Sequence, residues 1–279
     1  MTSADDTTAV AVITGGASGF GLALGARCAA HGFAVALLDR DGARAETEAA
    51  ALAATHGVGT LGLATDVARA TDVTAAAAAV GDRFGRADLV ISNVGVQLLG
   101  AAERLTDAEW AWVLDVNVTG SARVANAFLP LLRRAPRGHL AFTTSASVLD
   151  PASRMAAYQA SKFAVWGLAE TLRLELAGDG IGVSVIFPSG MITRHLETST
   201  EAQPEAISRP IGADDDFTTM LTSNPALAEA VVTPEDAARR VIDAILADEP
   251  YVITHGDLTL ATATRATKLR RAARAALEP

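Results

Sequence analysis

Apolar residues gather in short, nearly continuous runs separated by stretches with helical spacing. The runs at 9–14 (A-V-A-V-I-T), 33–38 (F-A-V-A-L-L), 58–64, 88–92 (D-L-V-I-S), 138–144, 181–187 (I-G-V-S-V-I-F) and 251–254 (Y-V-I-T) have the length of strands buried on both faces. Between them lie helix-like segments. One follows residue 21, with the pattern L-A-L-G-A-R-C-A-A; others cover 42–55, 70–84, 107–128 and 153–177. A further helix opens at Thr233-Pro234-Glu235, with threonine as N-cap and proline in the first turn. The alternation predicts an α/β fold: a doubly wound parallel β-sheet with helices on both faces, one domain over 1–279. Residues 194–230 break the pattern. They are polar, irregular and long for a connection, which predicts a lid over a substrate. The tail at 257–279 is basic and helix-prone. It reads as a solvated helix balancing an acidic body, with contact to an acidic partner or a membrane surface as the alternative.

Ligands of such sheets bind beyond the carboxyl ends of the strands. Gly15–Gly21, Asp39, Asp66, Asn93, Ser145 and Pro188 all fall just after predicted strands, so they converge on one edge. The turn Thr14-Gly15-Gly16-Ala17-Ser18-Gly19-Phe20-Gly21 joins a strand to a helix with G-x-x-x-G-x-G spacing. Glycines there let the backbone approach a pyrophosphate, and the helix start offers N–H groups and positive potential. Asp39 follows Gly21 by 18 positions, close to the spacing of a carboxylate that accepts from a ribose 2′-OH. Ser18 is not basic and Arg40 follows the acid, so the pattern favours NAD over NADP. Asp66-Val67 lies where a side chain can reach an adenine. Tyr158 and Lys162 are spaced i, i+4 and share a helix face. An ammonium beside a phenol favours phenolate, which lowers the tyrosine pKa from about 10 towards working pH. Ser145 ends the preceding strand and can hold a substrate oxygen beside Tyr158.

Composition narrows the choice. The chain is 50% hydrophobic and carries a net charge of −9, which argues against nucleic-acid binding. One cysteine, Cys28, excludes an internal disulfide. The five histidines form no H-x-x-x-H pair, so no metal is expected. The first residues lack a basic signal-peptide region and no apolar run is long enough for a membrane span, so a soluble cytoplasmic protein is the default expectation.

At this point the chain, from about Ala9 to Ile253, resembles the short-chain dehydrogenase/reductase family. The resemblance rests on Thr14-Gly15-x-x-x-Gly19-x-Gly21, Asp66-Val67, Asn93-x-Gly95, Asn117, Ser145 and Tyr158-x-x-x-Lys162, in that order. It implies a Rossmann-like fold and NAD(P)-dependent oxidation of alcohols or reduction of carbonyls. It implies Tyr158 as acid/base, Lys162 as the group that lowers its pKa and binds the nicotinamide ribose, and Ser145 as the group that orients the substrate oxygen. Asn117 is implied to hold a water in a proton relay. Gly15, Ser18, Gly19, Phe20, Gly21, Asp39, Arg40, Asp66, Val67, Asn93, Gly95, Tyr158, Lys162, Pro188, Met191 and Thr193 are implied around the cofactor. Val96, Gln97, Val148, Leu149 and Met155, with parts of 194–230, are expected to line a mostly apolar pocket for a bulky or aromatic secondary alcohol or its ketone. Arg154 and Arg194 read as surface charge, with reception of an acidic substrate as the alternative. Val94, Val148 and Ser189 depart from the family's usual alanine and glycines, which bears on substrate shape. Two alternatives stand beside this reading: an NADP-linked carbonyl reductase and a non-catalytic NAD(H) sensor. The long helices at 107–128 and 153–177 carry more apolar residues than one face buries, which predicts a homodimer or homotetramer.

Overall fold

The computed structural model describes residues 8–209, 215–225 and 231–277. Seven strands are present: β1 Val10–Thr14, β2 Ala34–Asp39, β3 Thr60–Ala64, β4 Leu89–Ser92, β5 His139–Thr143, β6 Gly182–Phe187 and β7 Tyr251–Ile253. They pair in parallel in the order β3-β2-β1-β4-β5-β6-β7, so the strand order reverses between β1 and β4. The crevice at such a reversal, beyond the strand ends, is where a ligand fits. The connecting helices are α1 Gly19–Ala30, α2 Gly42–His56, α3 Ala70–Phe84, α4 Asp107–Leu114, α5 Gly120–Leu132 and α6 Ala156–Glu175. Further along are α7 His195–Glu201, α8 Asp216–Ser223, α9 Pro234–Leu246 and α10 Thr259–Ala275.

Successive strand residues serve opposite faces. Val12, Val90, Leu140, Phe142 and Val185 pack with Val80 of α3, Phe128 of α5 and Val165 of α6. Ala11, Ile13, Leu89, Ile91 and Ile186 pack with Leu24 of α1, Leu52 of α2 and Val241 of α9. Burying one side chain of this size is worth about 1.5–3 kcal/mol. A one-residue slip of a central strand would exchange the two sets, so packing on both faces fixes the register.

Two predicted elements differ in form. The helix expected at 107–128 is interrupted by a π-helical turn, Asp115–Thr119, and continues to Leu132. The wider turn inserts one residue into the register and buries Asn117 completely. The segment expected to be irregular at 194–230 contains α7, a 3₁₀ turn at Glu205–Ile207, and α8. Residues 210–214 and 226–230 of that expectation lie outside the described residues. The basic tail forms α10, which buries none of its side chains. Its Arg265 nonetheless bonds the Val148 carbonyl and lies 5.4 Å from the Phe163 ring centre.

The first residue of β5 adds a pH dependence. His139 Nε2 lies 2.8 Å from Ser184 Oγ, whose own hydroxyl donates to the Glu249 carbonyl at 2.6 Å. Burial lowers the His139 pKa from 6.5 to about 4, against the opposing pull of Asp248. The unfolded chain therefore takes up a proton near 6.5 that the folded protein refuses until about 4. Stability is expected to fall as pH drops through that window, by about 2 kcal/mol between pH 7 and pH 5 from this group. Urea unfolding at the two pH values checks this. His139→Gln should flatten that part of the profile, and an unchanged slope would refute the assignment.

Candidate active site

The loops at the carboxyl ends of β1, β2, β4, β5 and β6 meet above the sheet. Gly15 and Gly19 have φ of +65° and +50°, a region that disfavours side chains. Gly21, in the first turn of α1, lies directly on the Gly15 carbonyl. A Cβ there would fall on the Gly15 oxygen, 2.7 Å from its carbonyl carbon and 2.8 Å from Asn93 Nδ2. The turn is therefore as tight as bare backbone allows. Ser18 caps α1 in extended conformation without spending its hydroxyl on the helix, and Phe20 is buried beneath the turn. These features fit a pyrophosphate resting on backbone N–H groups at a helix start.

Asp39 closes β2 beside the turn. Its Oδ2 accepts from the Ala17 N–H at 3.0 Å and its Oδ1 from the Asp41 N–H at 3.1 Å. Arg40 next to it is exposed. Asp66 accepts from the Ala68 N–H at 3.0 Å, and Val67 is buried in the core. Asn93 ties three strand ends together. Its N–H donates to Thr14 Oγ1 at 2.9 Å, its Nδ2 to the Thr14 carbonyl at 3.1 Å, and its Oδ1 accepts from Thr143 Oγ1 at 3.2 Å. After β6, the Pro188 carbonyl accepts from the Ala146 N–H at 2.7 Å, and Met191 bridges to Val232. Thr193 sits above Gly19, where a Cβ would meet its Cγ2 at 3.7 Å.

Ser145, Tyr158 and Lys162 come together at the end of β5. Ser145 Oγ accepts from the Ser147 N–H at 3.1 Å and lies 2.9 Å from Ser147 Oγ, and it also bonds the Tyr158 phenol. Lys162 Nζ donates to the Thr143 carbonyl at 3.0 Å and lies 5.6 Å from the Tyr158 ring centre. A Cβ on Gly95 would stand 2.8 Å from that nitrogen, so glycine makes room for the ammonium. The depression of the tyrosine pKa expected from spacing is absent in this structure. Burial pushes Tyr158 up to about 12, with the Ser145 hydroxyl opposing, and burial lowers Lys162 to about 8. The lysine faces a carbonyl rather than the phenolic oxygen, so loss of water decides both shifts.

Asn117 acts on the loop after β4. Its Oδ1 accepts from the Val96 N–H at 2.7 Å, while its Nδ2 donates to the Val96 carbonyl at 2.9 Å and to Ser161 Oγ at 2.8 Å. The Ser161 hydroxyl donates in turn to the Tyr158 carbonyl at 2.6 Å. One amide thus links the loop to the helix that bears Tyr158 and Lys162.

The residues expected to line the pocket divide. Met155 packs with Leu99, Ala152, Tyr158 and Met220. Gln97 is buried, with Nε2 4.0 Å from Met220 Sδ. Val96 turns to Val113 and Ala157, and Val148 and Leu149 belong to the main core. Sequence reasoning placed parts of 194–230 at the pocket without singling out His195, Leu196, Ser199 and Met220. No local spacing marks them. α7 and α8 nonetheless cover Tyr158 through long-range bonds. Gln97 N–H donates to Ser199 Oγ at 3.0 Å. Arg209 Nε bonds Glu109 Oε1 at 2.6 Å, and Arg104 Nη2 bonds Asp216 at 2.9 Å and 3.1 Å. Arg154, expected as free surface charge, pairs with Asp216 at 3.2 Å; Arg194 pairs with Glu197 and Glu201 on the surface.

Among the described residues, no group of three metal-ligating side chains comes together. No helix there is long and apolar enough to cross a membrane.

The family model for short chain dehydrogenases matches residues 9–204. A D-threitol dehydrogenase of Mycolicibacterium smegmatis is 35% identical over 184 residues, covering 66% of this chain and 70% of its own. A 1-deoxy-11-beta-hydroxypentalenate dehydrogenase of Streptomyces exfoliatus is 33% identical over 254 residues, covering 90% of this chain and 84% of its own. A solved short-chain dehydrogenase/reductase of Burkholderia phymatum, in complex with NAD, superposes with a TM-score of 0.80 at 31% identity, covering 89% of each chain. With a Rossmann-like sheet, a glycine turn at its switch point and a likeness that spans most of the chain, this protein belongs to the short-chain dehydrogenase/reductase family, as an NAD(P)-dependent oxidoreductase acting on alcohols and ketones.

Proposed function

We propose that the protein interconverts a secondary alcohol and its ketone, with NAD as cofactor and Tyr158 as general acid/base. The observation that carries this reading is the meeting of Ser145, Tyr158 and Lys162 at the end of β5, beside the glycine turn. The cofactor, when bound, accepts or gives the hydride. Gly15, Ser18, Gly19 and Gly21 would hold its pyrophosphate, Asp39 its ribose diol, and Lys162 the second ribose. Asp66, Val67, Asn93, Gly95, Pro188, Met191 and Thr193 shape the remaining wall.

Tyr158 moves the proton. Its phenol is protonated at neutral pH because burial disfavours phenolate, so it stands ready to donate to a carbonyl oxygen. In the oxidising direction it must first lose that proton, and a charged Lys162 nearby makes the loss less costly. Ser145 holds the reacting oxygen. Asn117 keeps the loop carrying Val96 and Gln97 at a fixed distance from Tyr158. The apolar surface of Leu99, Met155 and Met220 suits a bulky substrate. The relatives' names, dehydrogenases of D-threitol and of a hydroxypentalenate, support an alcohol as the reduced partner.

Titration with both cofactors, followed by a screen of alcohols and ketones at the NADH absorbance, tests the proposal. NAD is expected to bind at least about tenfold tighter than NADP, a difference of about 1.4 kcal/mol. The warrant is Asp39, which would bond the ribose diol and repel a 2′-phosphate. Equal affinities would remove the preference, and an inert screen would remove the reaction.

Residues 194–230 are read as a substrate lid. The support is that α7 and α8 cover Tyr158 while their ties to the body are mostly ion pairs and side-chain bonds. Hydrogen exchange in 195–225 is expected to slow on adding NAD and substrate; exchange that ignores both would count against a lid. A homodimer or homotetramer is proposed through the outer helices, where α6 exposes Phe163 and Leu174. Sedimentation at micromolar concentration should return more than the 28.6 kDa of one chain.

A further inference from the structure

We propose that His195 is a specificity-determining residue, which bonds a second oxygen of the substrate close to the carbon that reacts. This rests on the reaction proposed above. His195 opens α7, and its ring centre lies 6.3 Å from that of Tyr158, tilted by 60°. Neither ring nitrogen makes a hydrogen bond to a described residue. Its backbone, by contrast, is held firmly. The His195 carbonyl accepts from Ser199 Oγ at 2.7 Å, and that oxygen accepts from the Gln97 N–H at 3.0 Å. Ser199 is fully buried, so this chain of bonds fixes the start of α7 to the loop after β4.

Apart from Ser145 and the Gln97 amide, whose Nε2 lies 4.0 Å from Met220 Sδ, the wall around Tyr158 offers a polar substrate little. Leu99, Ala152, Met155 and Met220 are apolar, and Leu196 and Leu221 close the cluster. The half-buried ring leaves both nitrogens open to a ligand. Its charge state selects the ligand. Removal from water and the nearby Lys162 ammonium lower its pKa to about 4, so the ring is neutral at physiological pH. A neutral imidazole has one donor and one acceptor. It matches a hydroxyl or a carbonyl and gives no charge to hold a carboxylate. The inferred substrate class is therefore a vicinal diol or hydroxyketone on an otherwise apolar frame, rather than a simple alcohol or a hydroxy acid.

Matched pairs test this: butan-2-ol with butane-2,3-diol, cyclohexanol with trans-cyclohexane-1,2-diol, and 1-phenylethanol with 1-phenylethane-1,2-diol. Wild-type kcat/KM should favour the second oxygen by at least about tenfold in the pair it accepts best, as expected where a site is built to bond that group. His195→Phe keeps a ring and removes both nitrogens. It should abolish the preference, leave the simple alcohol within about threefold, and leave NAD binding unchanged. His195→Gln, which keeps a donor and an acceptor, should retain most of the preference. A wild type without the preference overturns the assignment. So does a His195→Phe protein that loses both members of a pair equally, since the ring would then only support the fold. A wild type inert towards all six alcohols, and towards their ketones with NADH or NADPH, would instead end the parent reaction and this inference with it.

Discussion

Tyr158→Phe is expected to lower kcat by at least about a hundredfold while NAD binding stays nearly intact. The ring packs against Leu99, Met155 and Met220, and phenylalanine fills the same space. Only the hydroxyl is removed, together with its bond to Ser145. Because burial makes that phenol protonated and costly to ionise, water is poorly placed to replace it. Lys162→Ala should behave differently. It leaves a hole beneath Gly95 and an unpaired Thr143 carbonyl, so turnover and NAD affinity should fall together. The two losses should not add in the double variant, since both act through one proton transfer. Rapid-mixing kinetics with NAD titrations on the three proteins decide the matter. Wild-type turnover in Tyr158→Phe would mean that another group moves the proton.

Gly21→Ala should have the second large effect: NAD affinity reduced by at least about a hundredfold, or about 2.8 kcal/mol. The added methyl falls on the Gly15 carbonyl and against Asn93 Nδ2, and neither can yield. Gly15 is fixed by the turn, and Asn93 is fixed by Thr14 and Thr143. The start of α1 must therefore move away from β1 and take its N–H groups with it. Overpacking of this kind costs about 1–3 kcal/mol, so the melting temperature should drop by roughly 5–10 °C. Gly167→Ala is the control. It lies on α6 away from the glycine turn, nothing within the chain is within 4 Å of the added methyl, and NAD affinity should be unchanged. A Gly21→Ala protein with unchanged NAD affinity would show that the cofactor does not rest on this turn.

The contrast between these two glycines shows what a sequence can and cannot display. Glycine spacing, the apolar strands and the Tyr158–Lys162 interval are local, and each was legible from neighbouring residues. Strands buried on both faces carry almost no polar interruption, as Val10–Thr14 and Val183–Phe187 do, and so announce themselves. The π-turn at Asp115–Thr119 was not legible, because one residue of altered register leaves helix propensity unchanged. A segment over the site was legible at 194–230 as a long polar interruption, but its helices were not. Its segments, such as H-L-E-T-S-T-E, are weak helix formers without a side-chain cap. What shapes them is bonding to distant residues: Arg209 to Glu109, 100 positions away, and Arg104 to Asp216, 112 away. The direction of the Tyr158 pKa shift was misjudged for a related reason. Spacing reveals that a lysine is near, whereas burial depends on everything folded around it.

Glu109 deserves a last consequence. Its Oε2 accepts from the Thr106 N–H at 2.8 Å and completes a capping box at the start of α4, while its Oε1 takes Arg209 at 2.6 Å. The two duties sit on separate oxygens. Were the proposed lid to open, the oxygen bonded to Arg209 would meet water, and the one that starts the helix would keep its partner. In the proposed lid cycle the start of α4 would therefore stay formed in both states. Glu109→Gln should keep the helix start and weaken only the tie to Arg209, so that one carboxylate joins the fixed helix to the segment proposed as a lid.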